Sequence, residues 1–133
     1  MFTDPATWTV LIVEDEPDNL EIAETVLLFV DSTVYTAADG TEGLRQLETI
    51  TPTFVLLDLS MPVMDGWEML EQVRANPRLA NLIVIALTAH AMDGDRERAL
   101  QAGFDGYITK PFRIDTLLAA ITKCLQEIEE ARG

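Results

Sequence analysis

Four groups of polar residues stand at the ends of apolar runs: Glu14-Asp15 after TVLIV, Asp58 after FVLL, Thr88 after LIVIAL, and Lys110 just past GYI. A strand that only packs can finish in any turn residue, so carboxylates, a hydroxyl and an ammonium at such ends invite a chemical reading. If the ends of the first and third runs lie side by side, Glu14, Asp15 and Asp58 share one crevice. Two unit charges about 4 Å apart repel by roughly 4 kcal/mol at an effective dielectric of 20, so that crevice either retains a proton or binds a cation. With no His or Cys nearby in sequence, all-oxygen ligation selects a hard ion: Mg²⁺ first, Mn²⁺ as a substitute, and Ca²⁺ less suited to so few protein ligands. A carboxylate nucleophile, a metal, a hydroxyl and a lysine on one rim are what phosphoryl transfer to an aspartate needs. Asp58 would attack phosphorus, the metal and Lys110 would balance charge on the phosphoryl oxygens, and Thr88 would donate a hydrogen bond to one of them.

The elements that must position these groups follow from the alternation of short apolar runs with longer amphipathic segments, the pattern of a parallel α/β sheet covered on both faces. Five strands are expected at 9–13, 33–37, 54–57, 82–87 and 106–108, each followed by a helix. The helices are punctuated by Pro17 in the first turn of one running to about Val30, by Asp39 capping Gly40 to Glu48, and by Asp65-Gly66 leading into Trp67 to Ala75. A fourth spans Asp93 to Ala102 with Gly103 as C-cap, and a fifth Ile114 to about Glu129. Right-handed crossovers then favour a doubly wound, flavodoxin-like (βα)5 sheet in the order 2-1-3-4-5, with the ligand outside the C-terminal strand ends where the order reverses. Residues 1–8 read as an N-terminal extension, 9–129 as the domain and 130–133 as a C-terminal tail. Met61-Pro62 and Asp65-Gly66 shape the loop beside Asp58, with Gly66 expected to take a φ that other residues reach only under strain.

At 133 residues the chain fits one domain, and 48% hydrophobic with 24% charged residues is the balance of a globular protein. The formal net charge of −14 repels phosphate backbones and anionic lipid, which argues against direct nucleic-acid binding and membrane insertion. The longest apolar run, LIVIAL, is far below the about 20 residues of a membrane span, and a cytoplasmic protein is expected. The single cysteine, Cys124, rules out an internal disulfide and lies in an apolar helical pattern, as a core or boundary residue would.

Taken in register, VLIVEDEPDN, LLDLSMPVMDG, ALTAH and GYITKPF resemble the CheY-like receiver domain of two-component response regulators, over about residues 9 to 127. The resemblance implies that Asp58 accepts a phosphoryl group from the phosphohistidine of a histidine kinase or histidine phosphotransfer protein, in a two-component or phosphorelay pathway. It implies Mg²⁺ on Asp15, Asp58 and the main-chain carbonyl of Ser60, with Glu14 holding it through water. Thr88 and Lys110 would engage the phosphoryl oxygens, and Lys110-Pro111 would be a cis peptide. Phosphorylation would draw Thr88 toward the new oxygens and turn Tyr107 inward, changing the face that a downstream target protein reads. The family is a signalling phosphoacceptor with self-phosphorylation from small donors and autodephosphorylation, not a conventional enzyme.

Other readings stand beside these. Glu16 or Asp18 could simply favour a helix N-terminus, and Tyr107 could be only a partly buried core aromatic. His90 and the Ser60 side chain either tune phosphoryl lifetime or are inert loop positions. On the first helix Leu20, Ala23, Val26, Leu27 and Val30 form a core stripe, leaving Ile22, Leu28 and Phe29 outside it as scattered apolar residues or as a partner-docking surface. Trp67 and Met69 belong to helix packing. A stand-alone regulator is favoured over a receiver excised from a hybrid histidine kinase or longer regulator. A Mg²⁺-dependent phosphohydrolase working through an aspartyl-phosphate is disfavoured, because Leu59 and Ser60 follow Asp58 where a second acid is wanted.

Overall fold

In the computed structural model, which describes residues 2–89 and 94–132, the strands β1 (Thr9–Val13), β2 (Thr33–Ala37), β3 (Phe54–Asp58), β4 (Val84–Thr88) and β5 (Gly106–Thr109) form one parallel sheet. Its order is β2-β1-β3-β4-β5, as expected from the crossover rule. The helices are α1 (Pro17–Phe29), α2 (Gly40–Gln46), α3 (Gly66–Ala75), α4 (Asp95–Ala102) and α5 (Ile114–Arg132). Successive strand residues point to opposite faces, so each strand feeds two cores. Val10, Ile12, Phe54, Leu56, Ile85 and Leu87 pack with buried residues of α1 and α5. Leu11, Val13, Val55, Leu57, Val84 and Ala86 pack on the other face with Met69, Leu70 and Val73 of α3 and Ala99 of α4.

Caps fall where the sequence puts them. The Asp39 carboxylate accepts from the Glu42 N–H and that of Asp65 from the Glu68 N–H, both at 2.9 Å, and Gly103 ends α4 with φ of 113°. The strand expected at 82–87 starts later and ends later. The Leu82 N–H closes a turn onto the Leu79 carbonyl, and the Leu82 carbonyl accepts from the Arg74 guanidinium, so neither joins the ladder. The consequence is that Thr88 is the last residue of β4, as Asp58 is of β3.

Arg74 is the main tertiary tie that local patterns do not reveal. Its guanidinium donates to the carbonyls of Gly103, Ala80 and Leu82 and to the Asp105 carboxylate, joining α3 to the loops that flank β4 and precede β5. Asp105 in turn accepts from the Val84 N–H at 2.9 Å.

Residues 1–8 lead into β1 and carry Trp8 into the core. Asp4 caps a 3-10 turn over Pro5–Thr7, Ser32 Oγ donates to the Pro5 carbonyl at 2.7 Å, and the Trp8 ring meets Phe54 edge-on at 5.3 Å. Trp8 is 1% exposed. Trp8→Ala is therefore expected to cost about 3 to 5 kcal/mol of unfolding free energy, read by urea denaturation; a loss under about 1 kcal/mol would contradict this packing. Helix α5 runs through Arg132, whose guanidinium donates to the Asn81 carbonyl at 3.1 Å. Among the described residues no helix is long and apolar enough to cross a membrane.

Candidate functional site

Strand register assembles the site. Val13 pairs with Leu57, so the next residues, Glu14 and Asp58, leave the sheet level with one another. Thr88 pairs with Thr109, which sets Lys110 one step beyond. Carboxylate oxygens of Glu14, Asp15 and Asp58 all lie within 4.8 Å of one another. Glu14 and Asp58 are buried, at 1% and 3% exposure, while Asp15 opens to solvent beside Ser60, Met61, Asp65 and Trp67 at the mouth of a cleft.

The Lys110 ammonium is the described cation that reaches this cluster. It lies 2.5 Å from Glu14 Oε1 and 3.3 Å from Asp58 Oδ1, and the Ser60 N–H donates to the same Asp58 oxygen at 3.2 Å. The other Glu14 oxygen accepts from the Glu16 N–H at 3.2 Å. Burial, then the hydrogen bond and charge of Glu14, push the Asp58 carboxyl above the usual range, against the opposing pull of Lys110 and Ser60. Burial and the Asp58 carboxyl likewise raise Asp15. One ammonium does not neutralise three crowded carboxylates. An oxygen-only donor set with this excess of charge fits a hard divalent cation, which would hold the carboxylates ionised.

Main-chain conformation beside Asp58 differs from expectation at Gly66. A Cβ there would stand 2.3 Å from the Asp58 carbonyl oxygen and 2.9 Å from Leu59 Cα, so it is close backbone approach that demands glycine, not a positive φ. The left-handed residue of this loop is Val63, with φ of 69°. Lys110-Pro111 is cis, and the Lys110 N–H donates to the Thr88 carbonyl at 2.6 Å. Thr88 is buried, and a side-chain hydrogen bond joins it to the half-buried Tyr107, whose phenol is raised by burial and by the Asp95 charge. Asp95 and Arg98, both acting on the Tyr107 phenol, were not singled out in the sequence, because only the packing of α4 on β5 brings them there.

The remaining candidates separate. Ile22, expected outside the core stripe of α1, is half-buried and packs against the core, since the helix meets α5, β2 and β1 together and buries a wider arc than the stripe. Leu28 and Phe29 are exposed, at 53% and 86%. Trp67 packs edge-on against Phe104 and Met69 is fully buried. Cys124 is half-buried, and burial raises its thiol, as an inert boundary residue requires. His90 lies outside the described residues.

Residues 10–122 match the response regulator receiver domain. The chain belongs to that family. As a receiver domain it is 39% identical over 106 residues to an uncharacterized 14.6 kDa protein of Leptolyngbya boryana, covering 80% of this chain and 81% of that protein. It is 40% identical over 117 residues to hybrid signal transduction histidine kinase D of Dictyostelium discoideum, covering 87% of this chain and 7% of the kinase. The receiver domain of sensor histidine kinase PA1611 from Pseudomonas aeruginosa PAO1, solved with a magnesium ion coordinated in its active site cleft, is 34% identical with a TM-score of 0.78. That likeness covers 92% of this chain and 98% of that one. The chain spans about half the length of several other curated relatives, among them response and transcriptional regulators. It is thus a receiver domain of two-component signalling, a family of phosphoacceptors that work with histidine kinases and downstream proteins.

Proposed function

We propose that Asp58 is the phosphoacceptor of this receiver domain, phosphorylated by the phosphohistidine of a histidine kinase or histidine phosphotransfer protein. The observation that carries this reading is the level exit of Glu14 and Asp58 from paired strands, with Lys110 against both. An Asp58 carboxylate oxygen attacks phosphorus as the bond to the donor imidazole nitrogen breaks, and the imidazole leaves with the bonding pair and takes up a proton. Asp15, Asp58 and the Ser60 main-chain carbonyl would hold Mg²⁺, or Mn²⁺ in its place, with Glu14 acting through water; when bound, the ion supplies positive charge against the phosphoryl oxygens. Lys110, already between Glu14 and Asp58, balances the same charge from the other side, and the Ser60 N–H orients the nucleophilic carboxylate.

The Thr88 hydroxyl donates to a phosphoryl oxygen, and its existing link to Tyr107 makes the pair the means by which site chemistry reaches β5 and α4. The surface reshaped in this way is what a downstream protein reads. Incubation with phosphoramidate and Mg²⁺ is expected to give one phosphoryl adduct by intact mass, removed when EDTA is added beforehand. A wild-type protein left unmodified with Mg²⁺ present would overturn this function.

A further inference from the structure

Helix α4 is tied to the site from two sides. On one, Thr88 at the end of β4 shares a hydrogen bond with the Tyr107 phenol on β5, against which α4 packs. The other side runs through α3. Trp67 follows the Gly66 that packs main chain on main chain against Asp58 and Leu59, so its backbone is fixed relative to Asp58. The half-buried indole lines the cleft with Asp15 and Ser60 and meets the Phe104 ring edge-on at 5.5 Å. The Arg98 guanidinium of α4 lies over the same indole, 5.7 Å from its centroid, within the range of a cation–π interaction.

Arg98 joins the two sides. Its Nη1 lies 3.4 Å from Asp95 Oδ1, one turn earlier on α4, and the charges of both residues act on the Tyr107 phenol. Contacts thus close a ring from Asp58 through Gly66, Trp67 and Arg98 to Tyr107 and Thr88, and β4 ends beside Asp58 because Leu87 pairs with it. Arg96 on the same helix is engaged elsewhere, with Glu127 of α5 at 3.5 Å. A hydroxyl has a single hydrogen, so Thr88 donates it either to the phenol oxygen or to a phosphoryl oxygen. Burial and the Asp95 charge raise the phenol, whereas the Thr88 bond acts to lower it, as a hydrogen bond donated to the phenol oxygen does. In this structure, therefore, the Thr88 hydrogen is committed to Tyr107.

We propose that Arg98, seated on Trp67, is a positioning residue for phosphoryl acceptance: it holds α4 against Tyr107 in the unphosphorylated geometry and so brakes the transfer of the Thr88 hydrogen bond from Tyr107 to the phosphoryl group. The proposal rests on Asp58 being the phosphoacceptor, and it adds to the Thr88–Tyr107 link an anchor on α3 that sets how far the resting state is favoured. A contact made only in the resting geometry weakens any ligand that needs the other one, so removing the contact tightens that ligand. The Arg98 side chain is 69% exposed, which makes the brake modest. A cation over an indole at an exposed site is worth a factor of roughly two to five.

The test titrates beryllofluoride, a phosphoryl mimic that binds a carboxylate together with Mg²⁺, into the chain carrying fluorotyrosine. With only two tyrosines present, Tyr35→Phe leaves a single fluorine at Tyr107, and all variants are compared in that background. R98Q is expected to lower the half-saturating beryllofluoride concentration about threefold, and W67L by a similar factor. R98K, which keeps a cation over the indole, and R96Q, which removes the same charge from the same helix, should both stay within about 1.5-fold of wild type. R98Q combined with W67L should tighten binding no more than either alone, because both remove one contact. A general loosening of the fold would weaken binding, not tighten it. The brake is overturned if R98Q binds no tighter than wild type, if R96Q or R98K matches R98Q, or if R98Q acts undiminished beside W67L. A wild type that labels with phosphoramidate while its Tyr107 signal ignores beryllofluoride overturns it too. Absence of both responses in wild type defeats the phosphoacceptor reading itself, and the brake with it.

Discussion

Asp58→Asn is expected to abolish the phosphoryl adduct, with labelling by phosphoramidate falling at least about 10³-fold, the scale on which loss of a nucleophile acts in covalent catalysis. Asparagine keeps the size of the side chain at the end of β3 and can still accept from the Ser60 N–H, but its amide is no nucleophile. Unfolding does not provide an alternative explanation. Asp58 titrates above its ordinary range because burial and Glu14 disfavour its charge. A carboxyl raised on folding binds its proton more tightly in the native state, so it subtracts stability as pH climbs through the unfolded and then the folded value, and the penalty is in place at neutral pH. Without Mg²⁺ the neutral variant should therefore melt no lower than wild type. An adduct of equal yield on the variant would place the phosphoryl group elsewhere.

Gly66→Ala should be the most damaging single methyl in the protein. Its Cβ would meet the Asp58 carbonyl oxygen at 2.3 Å, Leu59 Cα at 2.9 Å and the Asp58 carbonyl carbon at 3.0 Å. All three are main-chain atoms, which no rotamer change can clear. The start of α3 must then move away from the end of β3, and the Gly66 N–H to Leu59 carbonyl hydrogen bond at 3.2 Å goes with it. A loss of about 3 kcal/mol or more in urea denaturation is expected, at the upper end of what overpacking costs, together with slower labelling as Asp58 shifts against Lys110. Unfolding free energy and labelling rate both within error of wild type would show that the contact is not rigid.

The two variants bear on different levels of the same arrangement. Asp58 is legible in the sequence because a carboxylate at the end of FVLL has little packing purpose, and because three further strand ends carry complementary chemistry. Gly66 is legible as important but for another reason than the real one. A local reading sees a glycine after Asp65 and assigns it a special φ, since conformational freedom is the property a single residue displays. Close approach to Asp58 is a property of two segments, eight positions apart, packed together. The same distinction explains Ile22, whose burial depends on what α1 packs against, and Arg74, whose acceptors lie on loops up to 31 residues away.

By itself the sequence determined what single residues and their immediate neighbours display: apolar runs of strand length, caps at Asp39, Asp65 and Gly103, the polar group at each strand end, and through these the family. Propensity, capping and period-two alternation are local energies, and they act in the unfolded chain as in the folded one. Tertiary structure alone decided that Glu14 stands level with Asp58 with Lys110 between them, and that Trp8 closes the core. Those are outcomes of which strands pair and in what register, a choice made only when distant segments bury their faces together.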